Sequence, residues 1–231
     1  MPGPYCRCLA RCYIAGQVAG VRVGLSPGRP MNAGKAVADF FVEALMPDWL
    51  KLRLARAKPL DPAGRWALAA SAQLTDLNRH RHDTLNPDPR VDSAQWAMNL
   101  SSWWGTEDHD ETVAMLEWLA AEGHRVKFRA AAGHDVLAWD LARLINVARW
   151  GYAARYLSEA EAWAHILPAA AALRERYRSW EELAGDYVLG HDLWAEGPDE
   201  DLTAVTARLL DPANGKSPWN GVAWTLEGTA G

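Results

Sequence analysis

A helix that is apolar on more than one side has to be enclosed by neighbours, and the centre of this sequence reads as one. From His134 or Asp135 to about Arg155, Leu137, Leu141, Leu144, Ile145, Ala148 and Tyr152 share one face at helical spacing. Trp139, Val147 and Trp150 make a second side apolar. Such a helix needs a layer of other helices around it. The chain's 13 tryptophans suit that need: each brings a large apolar surface and one N–H that seeks a partner when buried. Trp139, Trp150, Trp163, Trp180 and Trp194 are expected to be wedges between helices. A stacking surface for sugars or nucleobases is the sharper alternative.

Two Ser-x-x-Glu boxes follow the central helix. In Ser158–Glu161 and Ser179–Glu182 a hydroxyl and a carboxylate are spaced to satisfy each other's free backbone N–H groups at a helix start. They predict helices from Glu159 to about Tyr177, bent at Pro168, and from Trp180 to Trp194. Upstream, Asp61-Pro62 is a helix start. Asp92 opens another helix, which Gly105 closes. Thr106 is expected to cap a helix over Glu107–Glu122 that Gly123 stops. The segment Asn78–Arg90 reads as a polar loop, His124–Phe128 as extended, and Leu202–Leu210 as a last helix. Ser217-Pro-Trp219 and Trp224 are expected to tuck onto the body. The fold class is all-α, a single multi-helix domain with at most one short two-stranded element at His124–Phe128.

Met1–Pro30, rich in Gly, Pro and Arg, reads as a disordered extension upstream of a domain that begins near Met31. A helical arm over residues 31–60 follows, with helices at Lys35–Leu45 and Trp49–Ala57, and the Trp-rich domain spans residues 61–226. Cys6, Cys8 and Cys12 all lie in the extension, so the body has no disulfide framework, which fits a reducing cytoplasm. The basic helix Trp49–Lys58 could lie on a membrane surface. A packed helix with a solvated basic edge is the more ordinary reading. No apolar run approaches the roughly 20 residues that span a bilayer. The net charge of −5 argues against a nucleic-acid partner.

Several central segments resemble the bacterial domain-of-unknown-function family 1266. They are Ala138-Trp-Asp-Leu-Ala-Arg143, Arg149-Trp-Gly-Tyr152, Tyr156-Leu-Ser-Glu-Ala-Glu-Ala-Trp163 and Ser179-Trp-Glu-Glu182, with Leu189-Gly190 and Trp194. Trp104-Gly105, Gly123-His124, Ser217-Pro-Trp219 and Trp224 extend the resemblance over roughly Trp66–Trp224. Arg155 stands where a small residue is expected and His191 where a basic one is. The resemblance implies a mostly helical domain and no particular reaction.

No phosphate loop, nucleophile elbow or paired metal motif occurs, so no metal and no cofactor is expected. The candidate catalytic residues are Asp140, Arg143 and His191. Asp140 and Arg143 lie one helical turn apart and can pair. In a cleft, Asp140 could act as a general base and Arg143 could hold an anion. Structural ion pairs outnumber catalytic ones, so a packing role comes first. Trp139, Trp150, Glu159 and Trp163 are candidate binding residues, although the helix dipole already explains Glu159 and capping explains Glu161. His124 and His134 flank a short segment and could approach each other. The leading expectation is a non-catalytic cytoplasmic protein that binds another protein, in an accessory or toxin-neutralising role. The alternative is a hydrolase or transferase with a Trp-walled cleft around Asp140 and Arg143.

Overall fold

Most helix starts among the described residues are set by short polar side chains. In the computed structural model, which describes residues 60–225, Asp61 accepts the Gly64 N–H at 2.7 Å and opens α1 (Pro62–Ala69). After a break at Ala70-Ser71 comes α2 (Ala72–Leu77). Asp92 caps α3 (Ser93–Trp104), which ends on Gly105 at φ 68°. Asp108 caps α4 (His109–Ala121) by accepting the Glu111 N–H. The expected cap Thr106 is buried, with no partner for its hydroxyl. The next element is α5 (Arg125–Ala132), then α6 (Leu137–Ala153), α7 (Glu159–Arg176), α8 (Trp180–Ala195), α9 (Glu200–Leu210) and the single turn α10 (Pro218–Gly221). No strand occurs among the described residues, and the segment expected to be extended, His124–Phe128, lies in α5 and its cap.

The box at Ser158 is complete. Ser158 Oγ accepts the Glu161 N–H, and Glu161 accepts the Ser158 N–H at 2.8 Å. The one at Ser179 is half of the device: its hydroxyl accepts the Glu182 N–H, but Glu182 reaches back to the Arg178 N–H instead. Helix α7 continues through Pro168 without a break.

The central helix α6 is enclosed as its apolar pattern demands. Fifteen of its residues are buried, from Ala138 to Ala153. α4, α7 and α8 pack along it, and α3 packs against it as well. Gly190 of α8 lies so close to the Trp139 side chain that a methyl group there would overlap it, and this sets how near α8 can come. The C-terminal segment packs on α1 and the start of α8. Trp66, Trp180, Trp219 and Trp224 form one cluster, with Trp180 stacked on Trp219 at 5.7 Å. Their indoles are tied to the backbone: Trp66 donates to the Trp224 carbonyl, Trp180 to Val222 and Trp219 to Ala69, at 2.8–3.0 Å. Burial of indole area together with a satisfied N–H is what anchors this otherwise irregular segment.

No helix among the described residues is long and apolar enough to cross a membrane. The extension, the three cysteines, the helices expected at Lys35–Leu45 and Trp49–Ala57 and their membrane-surface reading lie outside the described residues.

Candidate functional site

Three helices, α2, α5 and α6, have no side-chain cap of their own, and the last two are served by other elements. Both α5 and α6 are capped from a distance by a buried aspartate. Asp140, fully buried on α6, accepts the backbone N–H groups of His124 (3.1 Å) and Arg125 (2.9 Å) at the start of α5. Asp186 on α8 accepts the Ala138 N–H at the start of α6 (3.1 Å). A carboxylate at these positions neutralises orphan backbone donors and the positive end of the helix dipole together.

Around Asp140 the chain assembles a dense polar cluster. Arg143 donates to Asp140 Oδ1 at 2.6 Å, and Arg125 to Oδ2 at 3.3 Å. Arg125 also donates to the Leu119 and Ala120 carbonyls at the end of α4, so one carboxylate links α4, α5 and α6. The Arg143 guanidinium lies 4.0 Å from the Trp139 ring centroid and 5.4 Å from that of Trp104, a cation–π sandwich in a desolvated place. Its Nη2 donates to His124 Nδ1 at 2.9 Å. That bond makes Nδ1 an acceptor and leaves the proton on Nε2. Gly123 turns the chain into α5 at φ 62°, with its Cα hydrogens against the Asp140 carboxylate. A side chain there would meet both a left-handed backbone and the carboxylate.

The other sequence candidates are distributed as follows. His191 stands edge-on to Trp139 at 5.4 Å and tilted against Trp194, with Nδ1 3.2 Å from Asp192. Asp140, Arg143, Trp139 and His191 therefore form one chain of contacts. Trp150 is fully buried elsewhere, edge-on to Trp103 at 5.2 Å. Trp163 is half-buried beside Gly64, and Glu159 is exposed in the first turn of α7. His124 and His134 take separate partners: His134 bonds Asp186 Oδ1 at 2.6 Å, and Tyr177 also donates to Asp186. Burial and that bond push the Tyr177 phenol up.

Three features have no signal in the sequence. Arg125 and Asp186 meet their partners only through tertiary packing. Arg149 is fully buried and donates to Thr75 Oγ1, to the Thr84 and Leu85 carbonyls and to the Arg81 carbonyl, pinning the loop 78–90 onto α6. No group of three or more His, Cys, Asp or Glu that could hold a metal occurs among the described residues.

Two surface depressions are lined by other residues than the Asp140 cluster. One, of about 370 Å³, is formed by Ala97, Met98, Ser101, Glu107 and Tyr156. The other, of about 260 Å³, lies between α4, α6 and α7 around His165 and Pro168.

Two half-buried histidines, only one of them in the Asp140 cluster, give stability a definite pH dependence. His80 and His124 are both held well below the ordinary histidine value of 6.5, at about 4. Burial is the larger cause in each, followed by the charge of Arg149 for His80 and of Arg143 for His124. The unfolded chain accepts a proton near 6.5 that the folded chain refuses. Stability is then complete above that pH and falls as pH drops toward 4. The slope approaches about 1.4 kcal/mol per pH unit for each histidine. His109, raised by Asp110 and Glu161, acts in the opposite sense, but it is exposed and screened. Urea midpoints measured at pH 7, 6 and 5 are expected to decline. His124→Asn, which keeps an acceptor for Arg143, should remove about half of the slope. A flat wild-type profile would contradict this.

No curated protein and no solved structure matches the chain. Residues 131–224, which carry α6 through α10 and therefore Asp140, Arg143, Asp186 and His191, match the family model described as protein of unknown function (DUF1266). Across that segment, from the approach to α6 to the last clustered tryptophan, the chain is DUF1266-like.

Proposed function

We propose that this chain is a non-catalytic interaction module of the bacterial cytoplasm, which presents an acidic helical face to another protein in an accessory or toxin-neutralising role. The saturation of Asp140 carries the reading. A general base needs a free lone pair facing a substrate. Both Asp140 oxygens are spent on two backbone N–H groups and two guanidinium groups, and the residue is fully buried. His124 Nδ1 is spent on Arg143. Neither surface depression includes Asp140, Arg143 or His191. The arrangement suits a scaffold that fixes α5 against α6, and the scaffold's outer helices α3 and α4 are then the working surface.

The test is to isolate the full chain from its native host under gentle lysis and determine the mass and stoichiometry of the species that contains it. A heteromeric complex of fixed stoichiometry is expected. A monomer accompanied by turnover in a hydrolase and transferase screen, abolished in a still-folded Asp140→Asn variant, overturns the reading.

A further inference from the structure

Helix α3 carries no charged residue from Ser93 to Trp104, although much of it faces solvent. Met98, at 65%, is the most exposed large hydrophobic side chain of the described residues. It stands in the depression of about 370 Å³ with Ala97 and Ser101 of the same helix, Glu107 before α4 and Tyr156 after α6. The volume falls at the small end of ligand-sized clefts, roughly 300–1,000 Å³, and the lining is more apolar than polar.

The walls are held firmly. Arg155 adopts φ 66°, and the N–H groups of Tyr156 and Leu157 both return to the Gly151 carbonyl, at 2.9 and 3.1 Å, which fixes the Tyr156 backbone. Ser101 Oγ donates to Glu107 at 3.1 Å, and Glu111 accepts the Glu107 N–H at 2.8 Å. The rim is acidic. After burial, the charges of Glu107, Asp108 and Glu111 are what raise the Tyr156 phenol. Between Val91 and His124 the chain has no lysine or arginine. His109 is occupied by Asp110 and Glu161. Arg155 is a cation beside Tyr156, and the three carboxylates outweigh it.

We infer that the groove of Ala97, Met98, Ser101, Glu107 and Tyr156 is the docking site for a cationic helix of another protein, which seats one apolar side chain against Met98. The inference rests on the interaction reading above and supplies its address. An amphipathic helix lays an apolar anchor into a groove of this kind. Met98, unbranched and polarizable, adapts to the anchor. Arginines or lysines flanking the anchor meet Glu107 and Glu111, and the Tyr156 ring accepts one of them on its face. Charge opposition sets the partner and speeds encounter, so binding weakens with salt.

The probe is a 15-residue peptide of leucine and arginine with the leucines at helical spacing, beside the same peptide carrying glutamate for arginine. It is titrated into the full chain labelled at its methionine methyl groups. The arginine peptide is expected to shift the Met98 methyl saturably, and the glutamate peptide to leave it unmoved. Glu107→Lys with Glu111→Lys should weaken binding at least tenfold by peptide fluorescence anisotropy. Met98→Gln, which removes the apolar contact without adding charge at a position too exposed to disturb folding, should also weaken binding, and circular dichroism verifies both folds. A Met98 methyl that does not move, an equal response to the glutamate peptide, or undiminished affinity in Met98→Gln overturns the groove. Those results leave the broader reading to the host isolation, which fails on different evidence.

Discussion

Asp140→Ala is expected to cost about 3–5 kcal/mol of stability, the range for removing one partner from a buried ion pair. The reason is what stays behind. Arg125 and Arg143 keep side-chain exposures of 7% and 5%, and both lose their carboxylate. The His124 and Arg125 N–H groups lose their acceptor as well. Since a domain's whole stability is about 5–15 kcal/mol, the loss is a large share of it. Urea unfolding followed by tryptophan fluorescence measures it. The near-ultraviolet circular dichroism should also change, because Arg143 is no longer fixed over Trp139. A loss below about 1 kcal/mol would mean that the cluster is solvated and Asp140 is free for other work.

Arg149→Met is expected to act locally rather than globally. Two effects compete. Removing a guanidinium that touches no carboxylate relieves its desolvation, and burial alone already pulls this group well below the usual arginine range. Against that, the Arg81, Thr84 and Leu85 carbonyls lose their donor, at about 1–3 kcal/mol for each one that stays buried. The loop escapes the second cost by peeling away to water. Its opening equilibrium should then shift by about 2 kcal/mol, or roughly thirtyfold, while global unfolding changes less. Trypsin reads this directly, because Arg79, Arg81 and Arg90 are exposed in or beside that loop. Cleavage there should accelerate by that factor. Unchanged cleavage would show that other contacts hold the loop.

What was legible in the sequence followed from locality. The helices that begin on their own aspartate or serine at Asp61, Asp92, Ser158 and Ser179 are legible because cap and helix are neighbours in sequence. The burial of α6 was legible from its apolar pattern, and the docking of the C-terminal segment from its tryptophans. Both helices with remote caps depart from the sequence reading: α5 reads as an extended segment, and α6 as starting at His134 or Asp135 instead of Leu137. Their caps are 15 and 48 residues away. The Asp140–Arg143 pair was visible as helix spacing. Arg125 and His124, which decide what that pair is able to do, were not, because only the packing of α5 on α6 brings them in.

The polar side chains of α6 impose one more condition on the chain. Asp140, Arg143, Asn146 and Arg149 follow one another at intervals of three: the first two hold the start of α5 with His124, and the last two hold the Ser71–Thr75 junction and the loop 78–90. Three residues turn a helix by about 300°, so the row drifts about 60° per step and Arg149 points away from Asp140. The helix is thus keyed on both sides like a shaft. One residue inserted between Asp140 and Arg149 would rotate one key by about 100° and advance it by about 1.5 Å relative to the other. No local relaxation restores both grips. Length changes are therefore confined to the connecting loops, and the stretch from Asp140 to Arg149 admits exchanges of side chain but no change in the number of residues.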